Sequence, residues 1–219
     1  MITVGIASIP EREESLKQVI DSLTRQADLI AVVLNSYKEI PSWIKEYDNV
    51  ICDIGDNALG DAMKFALAES AKGLYVSWDD DLVAPPDAIW KLHRGVTKYN
   101  GVCSFHGRKY LSPVTNFKKF AGNYRCLGNV SEDVHVDFIG SGCTAFDTGR
   151  LRLSLHDFKS RNMADVYLSK AATDQGVPMM VLAHPEGYLK YIAPQRGTTI
   201  WEQTQDYTEH VKIMQTFIK

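Results

Sequence analysis

Apolar runs alternate with helix-period segments along the first half of the chain. ITVGIAS (2–8) is a short, β-branched run closed by Pro10 and predicts a buried strand. From Arg12 to Gln26, Leu16, Val19, Ile20 and Leu23 recur at helical spacing, and LIAVVLN (29–35) is again strand-like. The alternation continues through a short helical turn at PSWIKEY (41–47), a strand at NVICDI (49–54), a helix over LGDAMKFALAESAK (59–72) and a strand at GLYVSW (73–78). PPDAIWKLHRGVTKY (85–99) reads as a helix with proline in its first turn. GVCSFHG (101–107) reads as a further strand. Such alternation predicts a mostly parallel sheet flanked by helices, because parallel strands need long crossovers. The first half therefore has the look of a nucleotide-binding α/β half.

The second half is less regular. Residues 107–132 show little periodicity and are too long for an idle linker, which predicts a lid or a binding surface. Strands are expected at VHVDFIG (134–140) and CTAFDT (143–148), a helix over ADVYLSKAATDQG (164–176) ended by Gly176, and a last strand at VPMMVLA (177–183). Ile200 to Ile218 reads as one amphipathic helix with Trp201, Tyr207, Val211, Met214 and Ile218 on its inner side. Its polar face carries Glu202, Asp206 and Glu209, an acidity that argues against a membrane-surface helix.

Composition adds little to this pattern and removes several classes. With 219 residues and a net charge of −3, the chain fits one α/β domain that buries its own core. No apolar stretch is long enough to span a membrane, and the N-terminus lacks the basic leader of a signal peptide. Cys52, Cys103, Cys126 and Cys143 are scattered without a C-x-x-C pair, so a zinc ribbon or dithiol redox motif is not expected. A soluble, cytoplasmic protein with free thiols is the expectation.

The chemistry gathers in LYVSWDDDLVAPPD (74–87), where an apolar strand ends in Asp79, Asp80 and Asp81. On a continuing strand Asp79 and Asp81 would share one face and Asp80 the other. Two such carboxylates repel by roughly 2 kcal/mol at an effective dielectric near 20, so a positive guest is expected. In open parallel sheets ligands bind beyond the carboxyl ends of the strands, where this triplet falls. A hard cation, Mg²⁺ or Mn²⁺, suits oxygen ligands of this kind. The competing reading is a solvated turn in which one aspartate caps the following helix.

Taken together, SIPEREESLKQVIDSLTRQADLIAVVLNSYKEIP, NALGDAMKF, WDDDLVAPPD, SFHG, FIGSGCTAF and NMADVYLSKAATDQGVPMMVLAH resemble successive motifs of bacterial and phage glycosyltransferases of the GT-A fold, close to family 2. The resemblance spans roughly residues 3 to 184. It implies a single GT-A domain over 1–219: a Rossmann-like nucleotide-sugar half (1–100), an acceptor and catalytic half (101–199) and a C-terminal helix (200–219). It further implies metal-dependent transfer of a sugar from a nucleotide-diphosphate donor, usually UDP-linked, to an acceptor hydroxyl, by inversion. In the D-x-D motif so matched, Asp81 is a metal ligand, Asp79 lies near ribose or metal, and Asp80 takes the variable position on the donor side. Ala7, Ser8, Ile9, Pro10 and Arg12 would line the base and ribose, completed by Asn35, Gly60, Asp61 and Lys64. His184, after the last core strand, would join the metal site. His106 and Gly107, with Gly140, Ser141 and Gly142, would shape the acceptor side. Lys64 and Arg12 read equally well as solvated helix residues, and His184 as a structural histidine.

An inverting transfer needs a carboxylate beside the acceptor hydroxyl. Asp165 is the candidate base, with Asp147 and Asp174 in reserve; a helix N-cap would explain the same aspartate. Alanine at 164 departs from the family's Glu-Asp pair. The loop HPEGYLKYIAPQRGTTIW (184–201) is expected to close over the diphosphate, with Arg196 or Lys190 touching phosphate. Between Gly101 and Ser131 there is no acidic residue, while Arg108, Lys109, Lys118, Lys119 and Arg125 mix with Phe105, Tyr110, Phe117, Phe120 and Tyr124. That mixture fits an acceptor such as a glycan, a phosphate-containing polymer or a modified nucleic acid. Two other readings stand beside transfer of a sugar: a nucleotidyltransferase, and a non-catalytic nucleotide-sugar or glycan-binding module. Donor sugar, acceptor and oligomeric state are not legible in the residues.

Overall fold

The computed structural model describes residues 1–193 and 199–219. The strands are β1 (Ile2–Ser8), β2 (Leu29–Asn35), β3 (Val50–Gly55), β4 (Leu74–Asp79), β5 (Leu82–Val83), β6 (Val102–Ser104), β7 (Gly107–Lys109), β8 (Gly122–Tyr124), β9 (Val134–His135), β10 (Phe138–Ile139), β11 (Cys143–Asp147), β12 (Met179–Val181) and β13 (Lys190–Tyr191). The α-helices are α1 (Glu13–Leu23), α2 (Ala88–Tyr99), α3 (Ala164–Asp174), α4 (Ile200–Gln203) and α5 (Thr208–Met214). An eight-stranded sheet runs in the order β3-β2-β1-β4-β11-β6-β12-β9. Its first four strands are mutually parallel, and β11 enters antiparallel between β4 and β6. A three-stranded sheet β10-β7-β8 and the pair β13-β5 complete the strands. Among the described residues no helix is long and apolar enough to cross a membrane.

Side-chain alternation divides the core between the two faces of the sheet. Leu74, Val76 and Trp78 of β4 join Val4 and Ile6 of β1 with Leu16 and Ile20 of α1 and Leu92 of α2. Tyr75, between them in sequence, packs on the opposite face with Phe65, Phe146 and the inner residues of α3 and α5. Both faces of β1, β2 and β4 are covered, as a parallel sheet requires, while β3 at the sheet edge leaves Ile51 and Ile54 exposed. The register aligns Ala7 with Asp79, Ser8 with Leu34 and Asn35 with Gly55, so the carboxyl ends of β1, β2 and β4 open along one edge.

Four segments differ from expectation. Residues 59–72 form a 3₁₀ helix over Gly60–Phe65 followed by turns, rather than an α-helix. Ala66 and Ala68 bond back three residues, and the Tyr75 hydroxyl donates to the Lys64 carbonyl, taking an acceptor an α-helix would use. Pro85 and Pro86 precede α2, whose N-cap is Asp87, and therefore build the turn before the helix. The C-terminal helix is divided: a Thr199/Glu202 capping box starts α4, and Asp206 accepts from the Thr208 N–H and hydroxyl to start α5. Met214 and Ile218 are buried as expected, while the Trp201 side chain lies outside the described residues. Finally, β12 is not the last strand, since β13 pairs with β5 just beyond the three aspartates.

Candidate active site

A cavity of about 1110 Å³ opens at the carboxyl ends of the parallel strands. Ala7, Ser8, Ile9, Pro10 and Arg12 line it after β1, Asn35 after β2, and Gly60, Asp61 and Lys64 from the 3₁₀ helix. Asp79, Asp80 and Asp81 line it at the end of β4 and in the turn beyond, and His106, Ser141 and Asp165 line it from the second half of the chain. Fifteen residues named from the sequence are thus brought to one space.

The three aspartates are arranged differently from a continuing strand. β4 ends at Asp79, and Asp80 and Asp81 occupy the tight turn into β5. Period-two alternation therefore stops at Asp79. The Arg12 Nη1 reaches Asp80 Oδ1 at 2.8 Å and Asp81 Oδ2 at 2.9 Å, so these two carboxylates share one guanidinium. Asp79 instead accepts from Lys64 Nζ at 2.5 Å. Lys64 and Arg12 are accordingly ion-paired parts of the cavity wall and not solvated helix residues. Gly142 stands where it does because a Cβ there would lie 2.1 Å from Asp79 Oδ2. Gly60 has φ +61° and leaves room for the Asn162 side chain, which a Cβ would meet at 1.9 Å.

Negative charge exceeds positive at this edge, and protonation reflects it. Burial, then the charges of Asp79 and Asp80, push the Asp81 carboxyl up to about 7 against the opposing effect of Arg12. Burial would lower Lys64, but Asp79, Asp61 and Asp165 together hold it above its ordinary value. Asp79 and Asp81 could hold a divalent cation as two carboxylates, with waters and substrate phosphates filling its shell. Among the described residues no group of three or more His, Cys, Asp or Glu side chains is arranged around a metal position. What fits a cation is the donor set, two carboxylates with hard oxygens lining the same cavity.

Burial also raises Asp61 to about 7, opposed by Lys64 and by the Ala164 N–H. A carboxyl raised in the folded state binds a proton there that the unfolded chain, near its ordinary value of about 3.9, has released. Its contribution makes the fold less stable as pH rises from about 4 to about 7 and is constant outside that window. Asp61→Asn is expected to flatten this part of the stability profile, measured by urea unfolding at intervals between those pH values. An unchanged slope would show that Asp61 does not carry it.

Asp165 sits in the first turn of α3 without capping it. The N-cap is Met163, and Asp165 Oδ1 instead accepts the Ser141 N–H at 2.7 Å and the Ser141 hydroxyl at 2.6 Å. These bonds tie the helix start to the Gly140–Gly142 turn and fix the carboxylate in the cavity. Asp147 lies at the far end of β11, opposite Leu74, and Asp174 pairs with Lys170 at the other end of α3; neither lines the cavity.

Other named residues fall elsewhere. His184 is buried outside the cavity, with Nδ1 2.7 Å from the Leu182 carbonyl and Nε2 3.1 Å from the Arg125 carbonyl, so both ring nitrogens face the backbone. It is held as a structural histidine and is not brought to Asp79 or Asp81. Gly107 packs against Val181, and Gly140 against the His106 ring; Gly140 and Gly142 make room for protein side chains behind the wall. Lys190 pairs with Val83 in β13 and does not line the cavity. Arg196 lies outside the described residues.

The structure adds residues the sequence reading did not single out. Arg161 and Asn162 line the cavity beside Gly60, and His210 and Tyr207 reach it from the C-terminal segment. The His210 ring packs against both Phe117 and Tyr207, at centroid distances of 4.9 and 5.0 Å, and those two rings stack on each other at 4.7 Å. Of the basic and aromatic residues in 101–131, Arg108, Phe117 and Arg125 reach the cavity. Arg108 stacks against Phe117, Phe120 and Phe138, while Phe105, Tyr110 and Phe117 are buried. The mix of basic and aromatic residues was legible; which of them turn inward was not.

No protein-family model and no curated protein sequence matches the chain. Solved structures do. The structure of S. aureus TarS 1–349 in complex with UDP-GlcNAc superposes with TM-score 0.54 at 11% identity, covering 90% of this chain and 61% of that one. This chain therefore spans less than two thirds of that structure's length. The 2-C-methyl-D-erythritol 4-phosphate cytidylyltransferase from Thermus thermophilus gives TM-score 0.50 at 12% identity, covering 93% of this chain and 96% of that one. The 4-diphosphocytidyl-2C-methyl-D-erythritolsynthase from Anaerococcus prevotii gives 0.53 at 13% identity, covering 99% and 97%. At such low identity the likeness concerns the fold, which is the α/β, mostly parallel, Rossmann-like arrangement shared by GT-A-like proteins and nucleotidyltransferases.

Proposed function

We propose that the chain is a glycosyltransferase that moves a sugar from a nucleotide-diphosphate donor, a UDP-sugar, to an acceptor hydroxyl. The observation that carries this reading is the gathering of three carboxylates in one cavity: Asp79 and Asp81 at and just after the end of β4, and Asp165 from the first turn of α3. The donor is assigned to the wall formed by residues 7–12, Asn35 and Gly60–Lys64. Asp79 and Asp81 would hold Mg²⁺ or Mn²⁺, which when bound supplies charge stabilisation to the departing diphosphate. Asp165, held by Ser141, takes the acceptor proton from the opposite side, which makes the transfer inverting. Arg108, Arg125, His106 and Ser141 face the acceptor, a glycan, phosphate-containing polymer or modified nucleic acid. The two halves act as one domain in the cytoplasm.

A nucleotidyltransferase is the second reading, favoured by the near-complete mutual coverage with the cytidylyltransferase structures. Against it stands the turn after β1, Ile9-Pro10-Glu11-Arg12, which has no glycine and commits its arginine to Asp80 and Asp81. The product decides. Incubation with UDP-sugars and, separately, with nucleoside triphosphates, each with Mn²⁺ or EDTA, is expected to release UDP and no pyrophosphate, and Asp81→Asn to abolish the release. Pyrophosphate release would install the second reading. Donor binding, seen as a raised unfolding midpoint, without turnover across acceptors would make the protein a binding module.

A further inference from the structure

The cations that line the cavity differ in what they already hold. Among the described residues they are Arg12, Lys64, Arg108, Arg125 and Arg161. Arg12 is committed to Asp80 and Asp81, and Lys64 to Asp79. Arg108 stands over the Phe117, Phe120 and Phe138 rings. Arg125 and Arg161 are exposed, and among the described residues neither side chain has an ion pair or a hydrogen bond. Arg125 belongs to the 125–128 turn, in the half of the chain assigned to the acceptor. Lys190, which the sequence offers for the phosphates, does not line the cavity.

The place of Arg161 is built into the donor wall. Arg161 and Asn162 form the turn before α3, and three hydrogen bonds latch that segment to the start of the 3₁₀ helix. The Asn162 N–H donates to the Leu59 carbonyl at 3.3 Å, the Asp61 N–H to Asn162 Oδ1 at 3.4 Å, and the Ala164 N–H to Asp61 Oδ1 at 3.3 Å. Asn162 takes the left-handed conformation, φ +59°, which asparagine tolerates. The Arg161 stem lies against Gly60, where a Cβ would stand 3.1 Å from the Arg161 Cγ. The stem is thus held on the same wall as Asp61 and Lys64, while its charge is left without a protein partner.

An uncommitted guanidinium fixed in this way suits a phosphate group. Its planar fork of N–H donors matches two phosphate oxygens at once and keeps its charge at any working pH. We propose that Arg161 grips the diphosphate of the nucleotide bound in the cavity, through hydrogen bonds from its guanidinium to phosphate oxygens. The proposal rests on reading the cavity as a nucleotide site, which transfer of a sugar and transfer of a nucleotidyl group have in common. Arg12 and Lys64 hold the aspartates in place; Arg161 holds the ligand.

The test is calorimetric titration of UDP and CDP, and of uridine and cytidine, into the folded protein in buffer containing Mn²⁺. Arg161→Met is expected to weaken whichever diphosphate the wild type binds by about 10–100-fold, the worth of hydrogen bonds to a charged group. Affinity for the matching nucleoside is expected to stay unchanged, which also shows that the pocket is intact. Arg161→Lys keeps the charge without the fork and is expected to retain part of the affinity. Unchanged diphosphate affinity in Arg161→Met would overturn the proposal and leave the nucleotide reading standing. An equal loss for the nucleoside would overturn it too, because the contact would then lie on base or ribose. Failure of the wild type to bind either diphosphate would overturn the nucleotide reading and the proposal with it.

Discussion

Asp165→Asn is expected to lower kcat by about 10²–10⁴-fold, the usual worth of a positioned general base. Asparagine keeps the carbonyl oxygen that accepts the Ser141 N–H at 2.7 Å and the Ser141 hydroxyl at 2.6 Å, so the α3 start and the Gly140–Gly142 turn should be retained. What disappears is the ability to accept a proton from the acceptor hydroxyl. Donor affinity should be preserved, because the donor wall is built from β1, β2, β4 and the 3₁₀ helix and not from α3. Steady-state kinetics with a donor titration separates the two effects. A variant with near wild-type kcat would remove Asp165 from the role and leave Asp61, 3.3 Å from the Ala164 N–H in the same cavity, as the carboxyl to examine next.

Lys64→Met is expected to cost about 3 kcal/mol of folding stability, the lower end of what removal of one partner from a buried ion pair costs. The lower end applies because Lys64 is 4% exposed but Asp79, its partner at 2.5 Å, is 39% exposed and is served by solvent. At this chain length such a loss should lower Tm by about 6–12 °C. The Asp79→Asn, Lys64→Met double variant should recover part of the loss, since Asp79 then carries no charge that lacks its direct partner. Donor binding should remain impaired in both. Denaturant unfolding of the two single variants and the double variant reads the cycle; a Lys64→Met change below about 1 kcal/mol would mean that the pair is solvent-screened as a whole.

The elements legible in the sequence are those whose local pattern and tertiary role agree. β2 runs over the predicted LIAVVLN, α1 carries Leu16, Val19, Ile20 and Leu23 inward, and α3 ends before Gly176, which has φ +63°. The elements misread are those where a distant group intervenes. The 3₁₀ helix over Gly60–Phe65 has the composition of an α-helix, but its Lys64 carbonyl is taken by Tyr75 and its Lys64 ammonium by Asp79. His184 shows the same limit from the other side: its position after a strand fits a ligand, and only the approach of the Arg125 and Leu182 carbonyls closes both ring nitrogens.

By itself the sequence determined the alternation of strands and helices, the placing of three aspartates at a strand end, and the set of residues gathered after β1, β2 and β4. The first two follow from periodicity and from the rule that parallel strands end together; the set of residues came from the resemblance to GT-A glycosyltransferases. The tertiary structure decided how the charges are shared. The turn at Asp80 breaks the strand's alternation, one arginine bridges Asp80 and Asp81, and a buried lysine takes Asp79. It also brought Asp165 to Ser141. Each of these pairings joins residues far apart in the chain, and their energies depend on distance and burial, which a one-dimensional pattern does not carry.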